Sequence, residues 1–346
     1  MAHVPNSAEQ YEKMIGTPIP QLVSSLAIPT TISMLVTVIY NTADTYFVSQ
    51  INKSASAAVG MVYTLMAILQ AVGYGLGMGA GSLISRKLGE KDDDAAERYA
   101  VSAFVAAILA GAVVGWGCLA GLKPILRALK CTDTMLPYAV PYARWILLVA
   151  PVSCASFVLN NTLRAEGEST LAMWGLGLGG VLNIVLDPLF IFTLDMGAGG
   201  AALATAVSQV VSFVLLLMFF LTGRSIVRLR LRIVSRHFCD YWLIFSTGLP
   251  TVCRQGLGSV ASAVLNMQAV LYGDAAVSAI TIANKLYVFV RNLVIGIGQG
   301  LPAPLQAITT APRKRRRAWQ AFWSLPSSAR CSARSAAIVM AIFARP

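Results

Sequence analysis

Apolar residues gather along this chain into eight long runs, roughly 22–48, 56–84, 99–121, 137–160, 171–194, 199–221, 242–272 and 275–300. A hydrocarbon core about 30 Å thick takes about 20 apolar residues per helical crossing. Backbone polar groups in lipid have to be satisfied within their own segment, so each run is predicted as a membrane-spanning helix. Runs well beyond about 20 residues are expected to tilt, kink or extend into the interface.

Composition removes the competing classes. Of 346 residues, 56% are hydrophobic and 12% charged, and the mean hydropathy is +0.67. So few charges cannot cover a water-exposed surface, which excludes a soluble enzyme, and the apolar content excludes disorder. The expected class is an all-α integral membrane protein. The N-terminal segment lacks a basic region and a small-residue cleavage site, so the first run is expected to stay as a helix.

The net charge of +12 bears on topology. With the N-terminus inside, the inner segments hold sixteen Lys and Arg, and the outer loops hold four: Lys53, Lys123, Arg127 and Lys130. That bias predicts a cytoplasmic N-terminus. The contrary patch, Lys123 to Lys130, is expected on an interfacial turn. The basic tract Arg224 to Arg236 reads as a cytoplasmic loop touching anionic lipid, and no nucleic-acid partner or obligate protein partner is expected. The six Cys show no metal-ligand spacing and read as packing residues. His3 and His237 are isolated, so no His-based metal site is expected.

The chain also repeats. LAIPTTI (26–32) aligns with TGLPTVC (247–253), and YGLGMG (74–79) with IGIGQG (295–300), both at an offset of 221. AAV at 57–59 and 275–277, and ERYAVSAF (97–104) with RAWQAF (317–322), align at 218. A period near 220 holding six spans implies two six-helix lobes in parallel orientation, a transporter architecture with sites at the repeat interface. The predicted organisation is a complete lobe at 1–222, a basic cytoplasmic linker at 223–241 and a partial second lobe at 242–346. Residues 301–346 read as irregular, because Pro326, Arg330 and Arg334 interrupt a ninth helix. The glycines at 73, 75, 77, 79 and 81 lie in one apolar run with no preceding strand, so they predict close helix packing, not a phosphate loop.

Of the fifteen acids, Asp44 and Asp187 alone lie inside apolar runs. Ionised carboxylates there cost about 2.5–3.5 kcal/mol on insertion scales, so such residues face a wet cavity, pair with a partner or take up a proton. Tyr40 and Asp44 are four apart and share a helix face, with Asn41 alongside. Asn183 and Asp187 are also four apart. Pro188 supplies no N–H, which leaves the Ile184 carbonyl without its helical partner. Carboxylate, amide and carbonyl oxygens suit a hard cation, so these acids could exchange H⁺ for Na⁺. Arg144 and Arg254 read as snorkelling basic residues. Lys285 and Arg291 lie mid-run and are expected to line a substrate cavity.

In order, the strings IPTTISMLVTVIYNTADTYFVSQI, SRKLGEKD, NNTLRAEGES, VLNIVLDPLFIF, GAGGAALATAVSQ and GLPT make the chain resemble the multidrug and toxic compound extrusion (MATE) transporters, in the DinF-like bacterial branch, over about residues 16–300. The resemblance implies two six-helix lobes around a central cavity, in the bacterial cytoplasmic membrane. It implies export of organic, often cationic or amphipathic compounds by antiport with Na⁺ or H⁺ and no other cofactor. It also implies a cation site on Asp44, Tyr40, Asn161, Asn183, Asp187 and Thr205, with any Na⁺ at Asp44, Asn183, Asp187 and Thr205. No catalytic residue is expected. Twelve helices are usual for the family, whereas eight and a damaged ninth are read here, which suggests a truncated or frame-disrupted sequence around 301–317. A lipid-linked precursor flippase of the same superfamily, or a non-transporting membrane remnant, are the rival readings.

Overall fold

The computed structural model describes residues 19–51, 53–128, 131, 133–235, 237–270 and 274–299. The irregular tail read over 301–346 lies outside them. In chain order the helices are α1 (Ile19–Ser49), α2 (Lys53–Gly89), α3 (Asp93–Ala120), the short α4 (Leu122–Ala128), α5 (Leu136–Leu148), α6 (Ala150–Ala165), α7 (Ser169–Pro188), α8 (Gly197–Leu221), α9 (Phe238–Val270) and α10 (Asp274–Gln299). A π-turn, Leu189–Thr193, follows α7, and a 3₁₀ turn, Leu231–Ile233, lies between α8 and α9. Among the described residues, five helices are long and apolar enough to cross a membrane, or six if α5 and α6 form one bent span. The seventh and eighth predicted runs do form helices, of 33 and 26 residues. They carry Arg254 with Gln255 and Arg291 with Asn292, and they fall outside that set. The basic patch after α3 sits on the short helix α4, whose Leu122 and Leu126 are buried, and Arg127 reaches Asp133 at 3.7 Å.

The fourth run was expected as one helix over 137–160. It is instead two helices bent by 50°. Pro151 has no N–H to return to the Leu147 carbonyl, so the ladder breaks there. The Val149 N–H turns back to the Trp145 carbonyl at 3.3 Å. Gly111 and Gly115 of α3 lie against the break. A methyl at Gly111 would sit 2.8 Å from the Ala150 oxygen, and one at Gly115 would sit 2.7 Å from the Leu147 oxygen. Irregular backbone at membrane depth is thus covered by protein. Pro188 acts similarly at the end of α7. The chain winds into the π-turn, closed by Leu194 N–H to the Leu189 carbonyl at 3.0 Å.

The glycines of α2 explain how the two lobes meet. Gly73, Gly77 and Gly81 are spaced by four and face α6, where methyls at Gly73 and Gly77 would lie 2.6 Å from Phe157 Cδ2 and 2.7 Å from Asn161 Nδ2. Gly75 and Gly79, about 200° around the helix from their neighbours, face α9 instead. A methyl at Gly79 would lie 2.9 Å from Gly248 N, and one at Gly248 would lie 2.7 Å from the Gly75 carbonyl carbon. Alternate glycines therefore make two smooth stripes, one for each lobe. A second crossing joins α1 to α10, where a methyl at Gly296 would lie 2.6 Å from Thr31 Cα. Arg164 at the end of α6 also donates to the Gln299 side chain at the end of α10. All three junctions lie in the half of the bundle nearest the α8–α9 connection.

Substitution of Gly248 by Ala should lower the melting temperature of the detergent-solubilised chain, at a cost of about 1–3 kcal/mol for overpacking against backbone. Gly117→Ala, with nothing within 4 Å of the added methyl, should leave it unchanged or slightly raised. Equal melting temperatures for the two variants would remove the interlobe role of Gly248.

Candidate functional site: a buried carboxylate pair in the first lobe

Four helices bring the polar residues of the first lobe together. The contact between α1 and α7 is set by Gly180, where an added methyl would lie 3.1 Å from Tyr40 Cδ1 and 2.7 Å from Val36 Cγ1. With Tyr40 lying on the bare backbone at Gly180, the next turn of α1 carries Asp44 to the level of the next turns of α7, which carry Asn183 and Asp187. Asp44, Asn183 and Asp187 are buried, with exposures of 4%, 2% and 0%. The Tyr142 hydroxyl of α5 donates to Asp44 Oδ2 at 3.3 Å. The Asn183 amide donates to Asp187 Oδ1 at 3.2 Å and to Thr205 Oγ1 of α8, also at 3.2 Å. Asp44 and Asp187 lie within electrostatic reach of one another.

Three oxygens in this cluster have no hydrogen-bond partner among the described residues: Asp44 Oδ1, Asp187 Oδ2 and Asn183 Oδ1. A buried carboxylate oxygen left unpaired is costly, and native structures seldom tolerate one without a ligand or a proton. Two carboxylate oxygens, an amide oxygen and a hydroxyl make a hard-donor set that fits a proton or a small hard cation.

Not every residue assigned to the site by resemblance meets the others. Asn161 is buried, but its amide donates to the Phe157 carbonyl of its own helix at 2.7 Å and packs on Gly77. No hydrogen bond joins it to the carboxylates. Asn41 accepts from the Tyr63 hydroxyl at 2.7 Å, which ties α1 to α2 beside Asp44. Arg291 on α10 is half-buried, with an unpartnered Nε, and its guanidinium reaches over Gly258 of α9. The Lys285 side chain lies outside the described residues. Cys131 and Cys154 are buried packing residues, as expected, whereas Cys239 and Cys253 are exposed. Sequence reasoning missed Tyr142. An aromatic inside an apolar run carries no mark that separates a carboxylate donor from a packing residue.

A third buried acid was missed as well, because Glu166 follows α6 and reads as a loop residue. It is fully buried. The Ser225 hydroxyl donates to it at 2.8 Å and the Ile226 N–H at 2.9 Å. Desolvation pushes its carboxyl up to about 8, against the lowering effect of those hydrogen bonds.

Comparison with known proteins agrees with this architecture. The MatE family model matches residues 29–189, which run from within α1 to the end of α7 and hold both carboxylates. The multidrug export protein MepA of Staphylococcus aureus (strain MRSA252) is 29% identical over 319 residues, covering 89% of this chain and 68% of MepA. In sequence and in fold the chain is similar to the MATE transporters. MATE proteins are membrane transporters, not enzymes. MepA of Staphylococcus saprophyticus is 28% identical over 291 residues, which is 84% of this chain and 64% of that relative. A crystal structure of a MATE protein in complex with MaD5 superposes with a TM-score of 0.84 at 29% identity, covering 90% of this chain and 70% of that one. A multidrug resistance MATE transporter of the MOP superfamily in an outward-facing conformation gives 0.85 at 28%, covering 97% and 73%. The partial second lobe matches the share of these longer chains that is covered.

Because the folded pKa of Glu166 lies above the ordinary carboxylate value, the folded state binds the extra proton between about pH 4.5 and 8. Its contribution to stability is present below that window and is lost as pH rises through about 8. The melting temperature should therefore fall across this window, and Glu166→Gln should flatten the fall. An identical pH profile in the variant would show that Glu166 does not titrate there.

Proposed function

We propose that this MATE-like chain exports organic, cationic or amphipathic compounds, with inward Na⁺ or H⁺ as the driving ion held by Asp44 and Asp187. The observation that carries this reading is the pair of buried carboxylates, each with one oxygen unpartnered among the described residues, beside the equally unpartnered Asn183 Oδ1. A cation or proton arriving there relieves an unpaired negative charge, worth about 2.5–3.5 kcal/mol on insertion scales. That is about a hundredfold bias between two conformations if only one of them presents the loaded site.

The structure suggests how such a bias is transmitted. Asp187 sits directly before Pro188 and the π-turn, where α7 lacks a regular ladder and bends easily. Tyr142 belongs to the bent α5–α6 pair, so a change at Asp44 reaches that bend. Lobe contacts at the glycine crossings lie nearest the α8–α9 connection. With a cytoplasmic N-terminus, supported by the excess of Lys and Arg in the inner segments, that is the inner end. The similar outward-facing MATE transporter supports the same assignment. A bacterial cytoplasmic membrane is the setting that fits the named relatives, whose multidrug export supports the proposed cargo.

Asp187→Asn should abolish drug resistance conferred on a sensitised host, and gradient-driven efflux from vesicles, while the protein still inserts at normal levels. Asp44→Asn should do the same. Tyr142→Phe, which removes the donor to Asp44, should reduce efflux several-fold. Undiminished efflux in both Asp variants would overturn the coupling assignment.

A further inference from the structure

The connection between α8 and α9 is an ordered strap with two faces. Ser225 and Val227 are buried, whereas Arg224, Arg228, Arg230 and Arg232 are exposed. Leu229 packs inward against the cluster that holds Ala96, Tyr99 and Ala100. Inward Ser225, Val227 and Leu229 thus sit between outward Arg224, Arg228 and Arg230, ahead of the 3₁₀ turn at Leu231–Ile233. The inward side is pinned along its length. Glu166 holds Ser225 and Ile226, Glu97 accepts the Arg228 N–H at 3.2 Å, and the Ser102 hydroxyl accepts the Ser235 N–H at 2.9 Å. Asp240 then takes the Ser235 hydroxyl at 2.6 Å and pairs with Arg98 at 3.6 Å.

The outward side is unneutralised. None of the four arginines forms an ion pair with another described residue; Arg224 only stacks over Phe219, at 6.0 Å. Residues 223–236 contain no acid. Immediately beside this row, large apolar side chains stand exposed at the ends of the adjoining helices: Leu221 at 71%, Phe238 at 79% and Trp242 at 59%. A row of fixed cations next to exposed aromatic and aliphatic groups has the polarity of one bilayer leaflet, headgroup beside acyl chain. A soluble polyanion would meet the charges but leave the apolar neighbours in water.

We propose that the α8–α9 strap is a binding site for acidic phospholipid, in which Arg224, Arg228, Arg230 and Arg232 form a preset row that takes the phosphate groups of the surrounding leaflet. Because the backbone is already pinned, little ordering is left to oppose binding. The strap joins the two lobes, so lipid bound along it ties the junction to the membrane surface.

The test uses the full chain in neutral detergent and reads its thermal midpoint by tryptophan fluorescence. Phosphatidylglycerol should raise the midpoint by several degrees, less so at high salt. Phosphatidylcholine and inorganic phosphate at the same concentration should not. The quadruple variant R224Q/R228Q/R230Q/R232Q should keep its midpoint in detergent alone and lose more than half of the lipid shift. If that variant does not fold, R224Q/R228Q and R230Q/R232Q should each lose a part. K123Q/R127Q, which removes charges at the opposite end, should keep the full shift. A full phosphatidylglycerol shift in the arginine variants would overturn the proposal. So would an equal shift of the wild type by a single-stranded RNA oligonucleotide at matched phosphate concentration, which would mark the row as a nucleic-acid surface.

Discussion

Two carboxyl groups sit inside an apolar helical lobe, and among the described residues neither has a basic side chain to pair with. Desolvating such a group is among the largest single costs a membrane protein carries, and much of the first lobe is arranged around it. Gly180 lets Tyr40 lie against α7, which sets the register of Asp44 against Asn183 and Asp187. Tyr142 and Asn183 each supply one donor, and Thr205 holds the amide of Asn183 in place. Enough donors are present to keep the carboxyls oriented and too few to satisfy them. In the proposed mechanism, this deficit is what would make the pair responsive to a cation or proton.

Close backbone approach lets the same lobe meet the other while leaving its interior polar groups in place. The alternate glycines of α2 give α6 and α9 separate smooth faces on opposite sides of one helix. Helix association in lipid gains little from the hydrophobic effect, so such contact by small residues is the main means of holding two lobes together without locking them. Arg164 to Gln299 adds a polar tie at the same end. Glu166, buried just beyond α6, fastens the strap that leads into the second lobe. Junctions and strap therefore share one end of the bundle, which leaves the carboxylate half of the first lobe free of interlobe glycine crossings.

Much of this was legible before any coordinates. Long apolar runs mark helices because lipid leaves the backbone no alternative, and Asp44 and Asp187 stand out because charge is rare at that depth. The spacing of the α2 glycines announced packing, although its division between two partners needed the partners in place. Other features left no trace. The break at Val149 falls inside one continuous, mostly apolar run, and Pro151 within it looks no different from Pro29, which α1 absorbs without a break. Tyr142 and Glu166 depend on contacts between segments far apart in sequence. Asn161 has the residue type expected of the site, yet its amide returns to its own helix. Residue type fixes what a side chain could bind, and only packing fixes which neighbour it meets.

The chemistry of the pair is read most directly by infrared difference spectroscopy on the purified chain carrying Glu166→Gln, which removes the other carboxyl that is buried among the described residues. A carbonyl band from protonated Asp should be present at low pH, disappear on raising the pH or adding Na⁺, and be absent from Asp44→Asn/Asp187→Asn on the same background. A spectrum that ignores both pH and Na⁺, or a band that survives both substitutions, would contradict a cation-exchanging carboxylate pair.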